Sequence, residues 1–313
     1  MAGDEAGPTE LTAAAPVAAV VEPPRRASAV AARAALAAVP REPGAPKPDP
    51  ILVADGVSRR YGGVVAVDVE HLEVQRGSIT ALIGPNGAGK TTLFNLLSGF
   101  ERPDRGTWSF DGHALERVPA HKAAAYGMVR TFQLTKSLTK LTVIENMKLG
   151  ATAQRGEHWW NGLLPFLWRT QEREIEAQAD ALLAQFRLEH MRNEYAGTLS
   201  GGQRKLLEMA RALMTNPRLV MLDEPMAGVN PALKQVLNDH IKDLRERGMT
   251  VLFVEHDMDM VHDVSDWVVV MAEGRIIAEG TPDDIVGNEA VIDAYLGAHQ
   301  GKSLFEDDEE GAP

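Results

Sequence analysis

The stretch ITALIGPNGAGKTTLFNLL, Ile79–Leu97, decides the fold. Ile79–Ile83 reads as a short apolar strand. It runs into Gly84, Pro85, Asn86, Gly87, Ala88, Gly89, Lys90 and Thr91, with Thr92 following. Leu93, Phe94, Leu96 and Leu97 then recur at helical spacing. A strand, a glycine-rich turn ending in Lys–Thr and a helix are the P-loop in the context that confirms it. The glycines let the backbone wrap phosphate groups, Lys90 reaches the β- and γ-phosphates, and the Thr91 hydroxyl is placed to ligate Mg2+.

A second segment completes such a site. In LVMLDEP, from Leu219, four apolar residues precede two acids. This is the pattern of a buried parallel strand ending in charge, and ligands bind at the carboxyl ends of such strands. Asp223 is then the Mg2+ partner and Glu224 stands where a hydrolytic water can be polarised. Further apolar runs at Thr250–Val254 and Trp267–Met271 alternate with helical stretches, which argues an α/β core with a largely parallel sheet. Residues from Ile51 to Val74 show short β-like runs broken by glycines, a small antiparallel layer. Between Gln133 and Leu199 lies a helix-rich insertion.

The stretch LSGGQRKLLEMARALM, from Leu199, poses a separate question. Ser200, Gly201, Gly202 and Gln203 open an amphipathic helix, and a helix start of this kind offers unpaired N–H groups to an anion. The chain already has a phosphate loop more than a hundred residues earlier. P-loop, LSGGQ and LDEP, in this order and at these distances, resemble the ATP-binding subunits of ABC transporters from Ile51 to about Gly297. The resemblance implies that two nucleotide domains pair head to tail, so that Ser200–Gln203 close over ATP held by the mate's P-loop. It also implies roles for Tyr61 (stacking on adenine), for Gln133 in VRTFQLT (sensing the γ-phosphate and Mg2+) and for His256 in FVEHD (touching the γ-phosphate). MAGVNP, Met226–Pro231, resembles the loop that crosses to the partner.

What the resemblance implies about function is an ATP hydrolase, with ATP and Mg2+ as ligands. Its expected partners are a second, identical or paralogous, ATPase subunit, two transmembrane permease subunits and, indirectly, an extracytoplasmic solute-binding protein. Its expected place is the cytoplasmic face of the plasma (inner) membrane, touched through the permease only. LTKSLTKLTVIENMKLG, after Gln133, is the expected coupling surface. The wording GMVRTFQLTKSLTKLTVIENM and EGTPDDIVGNEAVIDAYLG looks like the larger ATPase subunit of branched-chain amino-acid importers. Importers of urea and short amides share that wording. Other ABC systems, such as lipopolysaccharide extraction or iron–sulfur assembly, keep the same nucleotide chemistry, and RTFQ with the tryptophan-bearing insertion counts against them.

Composition bounds the rest. The chain of 313 residues is 44% hydrophobic and 24% charged, enough for a large core, and has no cysteine, which suits a reducing compartment and leaves no thiol chemistry. A formal charge of -12 argues against nucleic-acid binding. No stretch reaches the roughly eighteen apolar residues of a membrane helix, and the acidic opening MAGDEAGPTE is no signal peptide. Residues 1–50 hold nine of 18 prolines, sixteen alanines and no aromatic residue. They read as a disordered tail with a short helix available at Ser28–Ala38, and removing Met1–Asp49 is expected to change folding little. The domain reading is therefore a tail at 1–50, a nucleotide domain at 51–300 with a helical subdomain at about 134–215, and an acidic flexible end at 301–313. EHWWNGLLPFLW holds three of the five tryptophans and serves either a membrane-subunit contact or a satellite core. His113, His121 and His240 show no metal-ligand spacing.

Overall fold

The computed structural model describes residues 28–115, 118, 120–131, 139–151 and 165–303, with backbone alone for 165–169 and 297–303. Gln133, the tryptophan-bearing segment at 157–164 and the acidic end from 304 lie outside the described residues, as do residues 1–27.

Six strands form the central sheet. β3 (Ile79–Ile83), β6 (Met128–Arg130), β7 (Leu219–Asp223), β8 (Thr250–Val254), β9 (Trp267–Ala272) and β10 (Arg275–Gly280) take the order β10-β9-β3-β8-β7-β6. All neighbours are parallel except β9 and β10, which form an antiparallel hairpin. The four runs legible in the sequence are β3, β7, β8 and β9. Short β6 and edge strand β10 carry too little apolar pattern to stand out. Each central strand is buried on both faces, and the side chains alternate strictly between two cores. Ile79, Ala81, Ile83, Val220, Leu222, Val251, Phe253, Val268 and Val270 face one core. Leu82, Leu219, Met221, Leu252, Val254, Trp267, Val269 and Met271 face the other. This is why these strands read as continuous hydrophobic runs rather than alternating ones.

The first core is roofed by helices. These are α4 (Val143–Leu149), α5 (Pro165–Gln185), α6 (Gly201–Leu213) and α7 (Pro231–Glu246). On α6, Leu206, Leu207, Ala210 and Leu213 are buried, as their spacing requires. The second core lies between the sheet, α2 (Lys90–Leu97) and an antiparallel layer of order β2-β1-β4-β5, β5 being the short strand His113–Ala114. Here β1 (Pro50–Tyr61) and β2 (Val64–Gln75) form a long hairpin, and β4 (Arg105–Phe110) pairs with β1. α3 (Ala120–Ala125), α8 (Met258–Val264), α9 (Pro282–Val286) and α10 (Glu289–Ser303), with two short 3-10 turns at Glu189–Met191 and Ala196–Thr198, complete the described elements.

The reading of residues 28–49 as part of a disordered tail requires correction. α1 (Ala29–Ala37) forms where the alanine-rich stretch allows it, and Ala29, Ala32, Leu36, Val39 and Ala45 are buried. The chain then crosses the β9–β10 hairpin as a strap. Lys47 and Glu279 side chains are both 0% exposed, with Nζ and Oε2 2.6 Å apart. Trp267 Nε1 donates to the same oxygen at 3.0 Å, the Gly44 amide donates to Oε1 at 2.9 Å, and the Lys47 ammonium lies 5.0 Å from the Trp267 ring centroid. Nearer the surface, Arg33 bonds Asp266 at 2.8 Å and Arg41 bonds Asp284 at 2.7 Å. Composition misses this because the carboxylate partners of the Arg33 and Lys47 side chains and of the Gly44 amide stand 232 to 235 residues away in the chain. Such a pair adds little over an apolar replacement, but breaking it strands a charge. Lys47→Met is therefore expected to lower the unfolding free energy by about 3–5 kcal/mol. Urea denaturation checks this, and a change below about 1 kcal/mol would mean that solvent reaches Glu279. Deletion through Asp49 is likewise expected to destabilise, contrary to the compositional reading.

Candidate nucleotide site

Parallel pairing sets the site. Leu82 pairs with Val254, and Asp223 pairs with Val254 from the other side, so β3, β8 and β7 end level and adjacent. The loop Gly84–Gly89 leaves the end of β3, Asp223 and Glu224 leave β7, and Glu255, His256 and Asp257 leave β8. Charged residues sit where the double burial of the sheet stops.

Two glycines in the loop are dictated by close approach. A Cβ on Gly84 would stand 2.1 Å from the Met271 carbonyl oxygen, and one on Gly89 would stand 2.2 Å from that of Ala66. Both have positive φ, as has Gly87 in open space. Asn86 and Gly87 are exposed at the crown, with Pro85 half-buried before them. Ala88 is buried, and its carbonyl accepts from Gly274 at 3.0 Å, tying the loop to the β9–β10 turn. Lys90 opens α2 and its ammonium donates back to the carbonyls of Gly84 (2.7 Å) and Pro85 (2.9 Å). Burial pushes its pKa down, and the Glu224 carboxylate acts in the opposite sense. A half-buried cation over a loop of backbone amides at a helix start fits a polyphosphate. Thr91 and Thr92 follow in the first turn of α2, Thr91 exposed.

Asp223 is not idle. Arg130, the last residue of β6, donates from Nη2 to Asp223 Oδ2 at 2.7 Å and from Nη1 to Asn95 Oδ1 (2.7 Å) and Ser98 Oγ (3.0 Å) on and after α2. Its guanidinium also lies over the Phe94 and Phe100 rings. Arg130 thus fixes the carboxylate at the end of β7 against the helix of the phosphate loop. Sequence reading passed over it inside VRTFQ. The available signal was an arginine closing a strand beside the strand that ends in Asp–Glu. Glu224 itself has φ +45°, a left-handed backbone on a non-glycine residue, and such strain clusters at functional positions. Its amide donates to the Val254 carbonyl at 3.0 Å. His256 is 66% exposed in its side chain, free to meet a ligand.

The remaining predicted residues lie on other elements. Ser200 caps α6 in a reciprocal capping box: its hydroxyl accepts from the Gln203 amide at 3.2 Å, and Gln203 Oε1 accepts from the Ser200 amide at 2.9 Å. Gly201 is exposed and open, whereas a Cβ on Gly202 would collide with Leu233 of α7 at 1.8 Å. Tyr61 ends β1, 45% exposed, with its hydroxyl on Glu101 and the Arg59 guanidinium over its ring. Gln133 lies outside the described residues, two positions beyond Thr131, whose amide bonds the Met221 carbonyl at 3.0 Å. The structure therefore gathers Lys90, Asp223, Glu224 and His256 and leaves Ser200–Gln203 on a separate helix start.

Residues 67–227 match the ABC transporter family, and residues 275–300 match the branched-chain amino acid ATP-binding cassette transporter family. The chain is 42% identical over 250 residues, 79% of its length and 98% of the relative's, to the high-affinity branched-chain amino acid transport ATP-binding protein BraF of Pseudomonas aeruginosa. It is 41% identical over 251 residues, again 79% and 98%, to the protein LivG of Escherichia coli, described in the same terms. Among solved structures it is similar to the ADP conformation of MJ1267, an ATP-binding cassette of an ABC transporter, with a TM-score of 0.70 and 37% identity over 79% of this chain and 99% of that one. A nucleotide-free cassette from an ABC transporter matches with a TM-score of 0.69 and 36% identity over 78% and 98%.

Arg130→Met is expected to leave the part-buried Asp223 without its cation and to cost about 2 kcal/mol, less than breaking a fully buried pair. Urea unfolding measures it. A variant as stable as the parent would show that the Arg130 guanidinium contributes nothing net to holding Asp223 and the end of β6.

Proposed function

The chain belongs to the ABC transporter family of ATP-binding, ATP-hydrolysing subunits, and from that premise we propose that it powers a membrane importer of branched-chain amino acids. The observation that carries the chemical part is the level ending of β3, β8 and β7, which brings Lys90, Glu224 and His256 to one edge. The match at residues 275–300 and the roughly 40% identical relatives support the solute class.

In this reading the amides of Gly87–Lys90 and the Lys90 ammonium hold the β- and γ-phosphates. Pro85 and Asn86 shape the loop, and Tyr61 presents its open ring face to the adenine. Thr91, Asp223 and Gln133 are the residues that would hold Mg2+, and the carboxylate and hydroxyl oxygens among them suit a hard cation. When bound there, the ion would supply positive charge to offset that of the phosphate groups. Glu224 takes the proton of the attacking water, and His256 steadies the γ-phosphate oxygens. Catalysis of this kind is chiefly positioning and charge neutralisation.

One chain carries one P-loop and one LSGGQ start. The working unit therefore holds two such domains head to tail, with Ser200–Gln203 over the mate's nucleotide. Closure of the pair moves two permease subunits, which take solute from an extracytoplasmic binding protein. The domain contacts the permease through Leu134–Gly150, where Leu149 of α4 is exposed. Among the described residues no helix is long and apolar enough to cross a membrane, consistent with a peripheral subunit at the cytoplasmic face that reaches the bilayer through the permease only.

Glu224→Gln is expected to retain ATP binding and lose turnover by about 10²–10⁴-fold; normal hydrolysis in that variant would refute the assignment. For the solute, uptake of labelled leucine, urea and a short amide is compared in cells carrying the native chain or Lys90→Ala. Loss of leucine uptake alone is expected. Untouched leucine uptake with loss of urea or amide uptake would retain the ATPase and discard the substrate.

A further inference from the structure

We propose that Lys205 is a positioning residue for Glu224, tying the helix that begins with Ser200–Gln203 to the hydrolytic carboxylate of the same chain. Its ammonium, reaching out of α6, donates to the carbonyl oxygens of Glu224 at 3.2 Å and Pro225 at 2.9 Å. These are the first two peptide units after Asp223, and Glu224 there holds a left-handed backbone. A charge-assisted pair of bonds to consecutive carbonyls fixes the orientation of that turn, and with it the direction in which the Glu224 side chain leaves the backbone.

The anchor has a counterpart beneath it. Glu255, side chain 0% exposed, accepts from the Met226 amide at 2.8 Å and from the His256 amide at 3.2 Å. Burial lowers the pKa of the Lys205 ammonium, and the carboxylates of Glu255, of Glu208 on α6 and of Glu224 act on it in the opposite sense. The turn 224–226 is thus held from one side by a cation on α6 and from the other by an anion at the end of β8.

The first turn of α6 is the part that faces the mate in the reading above, on which this inference rests. Lys205 stands one turn further along the same helix. A displacement of α6 when its start engages nucleotide is transmitted to Glu224 through one side chain. Nucleotide held by the partner thereby tunes the general base of this chain's own site.

The test uses the full-length chain with Lys205→Met, Lys205→Arg and, in parallel, Glu224→Gln. Lys205→Met is expected to lower kcat for ATP about ten- to hundredfold, in the range of a small misplacement of a reacting group, with KM within twofold. Hydrogen exchange in nucleotide-free protein should rise at 224–228 and not in β3. Lys205→Arg, which keeps N–H donors for both carbonyls, should recover most of the rate. Parental kcat and parental exchange in Lys205→Met overturn the proposal. So does a joint fall of melting temperature, ATP affinity and kcat, which marks a merely structural lysine. Normal hydrolysis by Glu224→Gln would instead sink the role of Glu224, so the two failures are told apart.

Discussion

Everything at the site depends on the parallel register of β3, β8 and β7. Because each of these strands is covered on both faces, its interior is apolar apart from the neutral hydroxyls of Thr80 and Thr250, and in β3, β8 and β7 a carboxylate appears only where the strand ends. Asp223 opposite Val254 is that point. A one-residue advance of β7 would carry Asp223 opposite Phe253, in the dry core, at the several kcal/mol that an unpaired buried charge costs. The burial that stabilises the sheet therefore also aligns three loop origins within adjacent strand spacings of about 4.8 Å. Precision at the site is a by-product of not burying charge.

Keeping those loops in place is a different problem, because they are polar and partly out of water. Arg130 answers it for Asp223, and Lys205 with Glu255 answers it for Glu224 and the following turn. Residues in sparsely populated backbone regions cost about 1–3 kcal/mol and persist only when their surroundings over-determine them. Glu224 meets that condition: its amide is bonded to Val254, its carbonyl to Ala227 and Lys205, and the next free amide, that of Met226, to Glu255. A relaxed backbone at this position would leave Lys205 and Glu255 partly unpaired. The strain is thus secured by groups that lose more than it would gain.

Much of this was legible in residues alone, and what was not has a common cause. β3, β7, β8 and β9 are apolar runs bounded by charge or glycine, and the P-loop combines a turn requirement with a charge requirement that few other sites share. Local signals of that sort survive in one dimension. Arg130, Lys205 and Glu255 are ordinary charged residues in the sequence, and their meaning comes from partners 19 to 93 residues away. The strap failed for the same reason. Prolines and alanines between residues 28 and 49 suggest too little apolar area for order, which holds for the segment in isolation. It neglects Trp267 and Glu279, which the folded sheet presents to it.

Two buried carboxylates show how the same chemistry serves opposite ends. Glu279 receives an ammonium directly at 2.6 Å, an indole N–H and a backbone amide. Its charge is neutralised on the spot, and any displacement of the strap exposes the full penalty of a stranded ion. That arrangement resists motion. Glu255 instead accepts from two backbone amides, with its neutralising lysine committed to carbonyls of the neighbouring turn. Amides carry partial charges, so shifting the turn by a fraction of an ångström changes the energy of Glu255 by less than parting a contact ion pair would. Stiffness in the first case and compliance in the second follow from where the compensating charge resides. The rigid pair lies across the β9–β10 hairpin at the sheet edge, and the softer one lies beside Glu224.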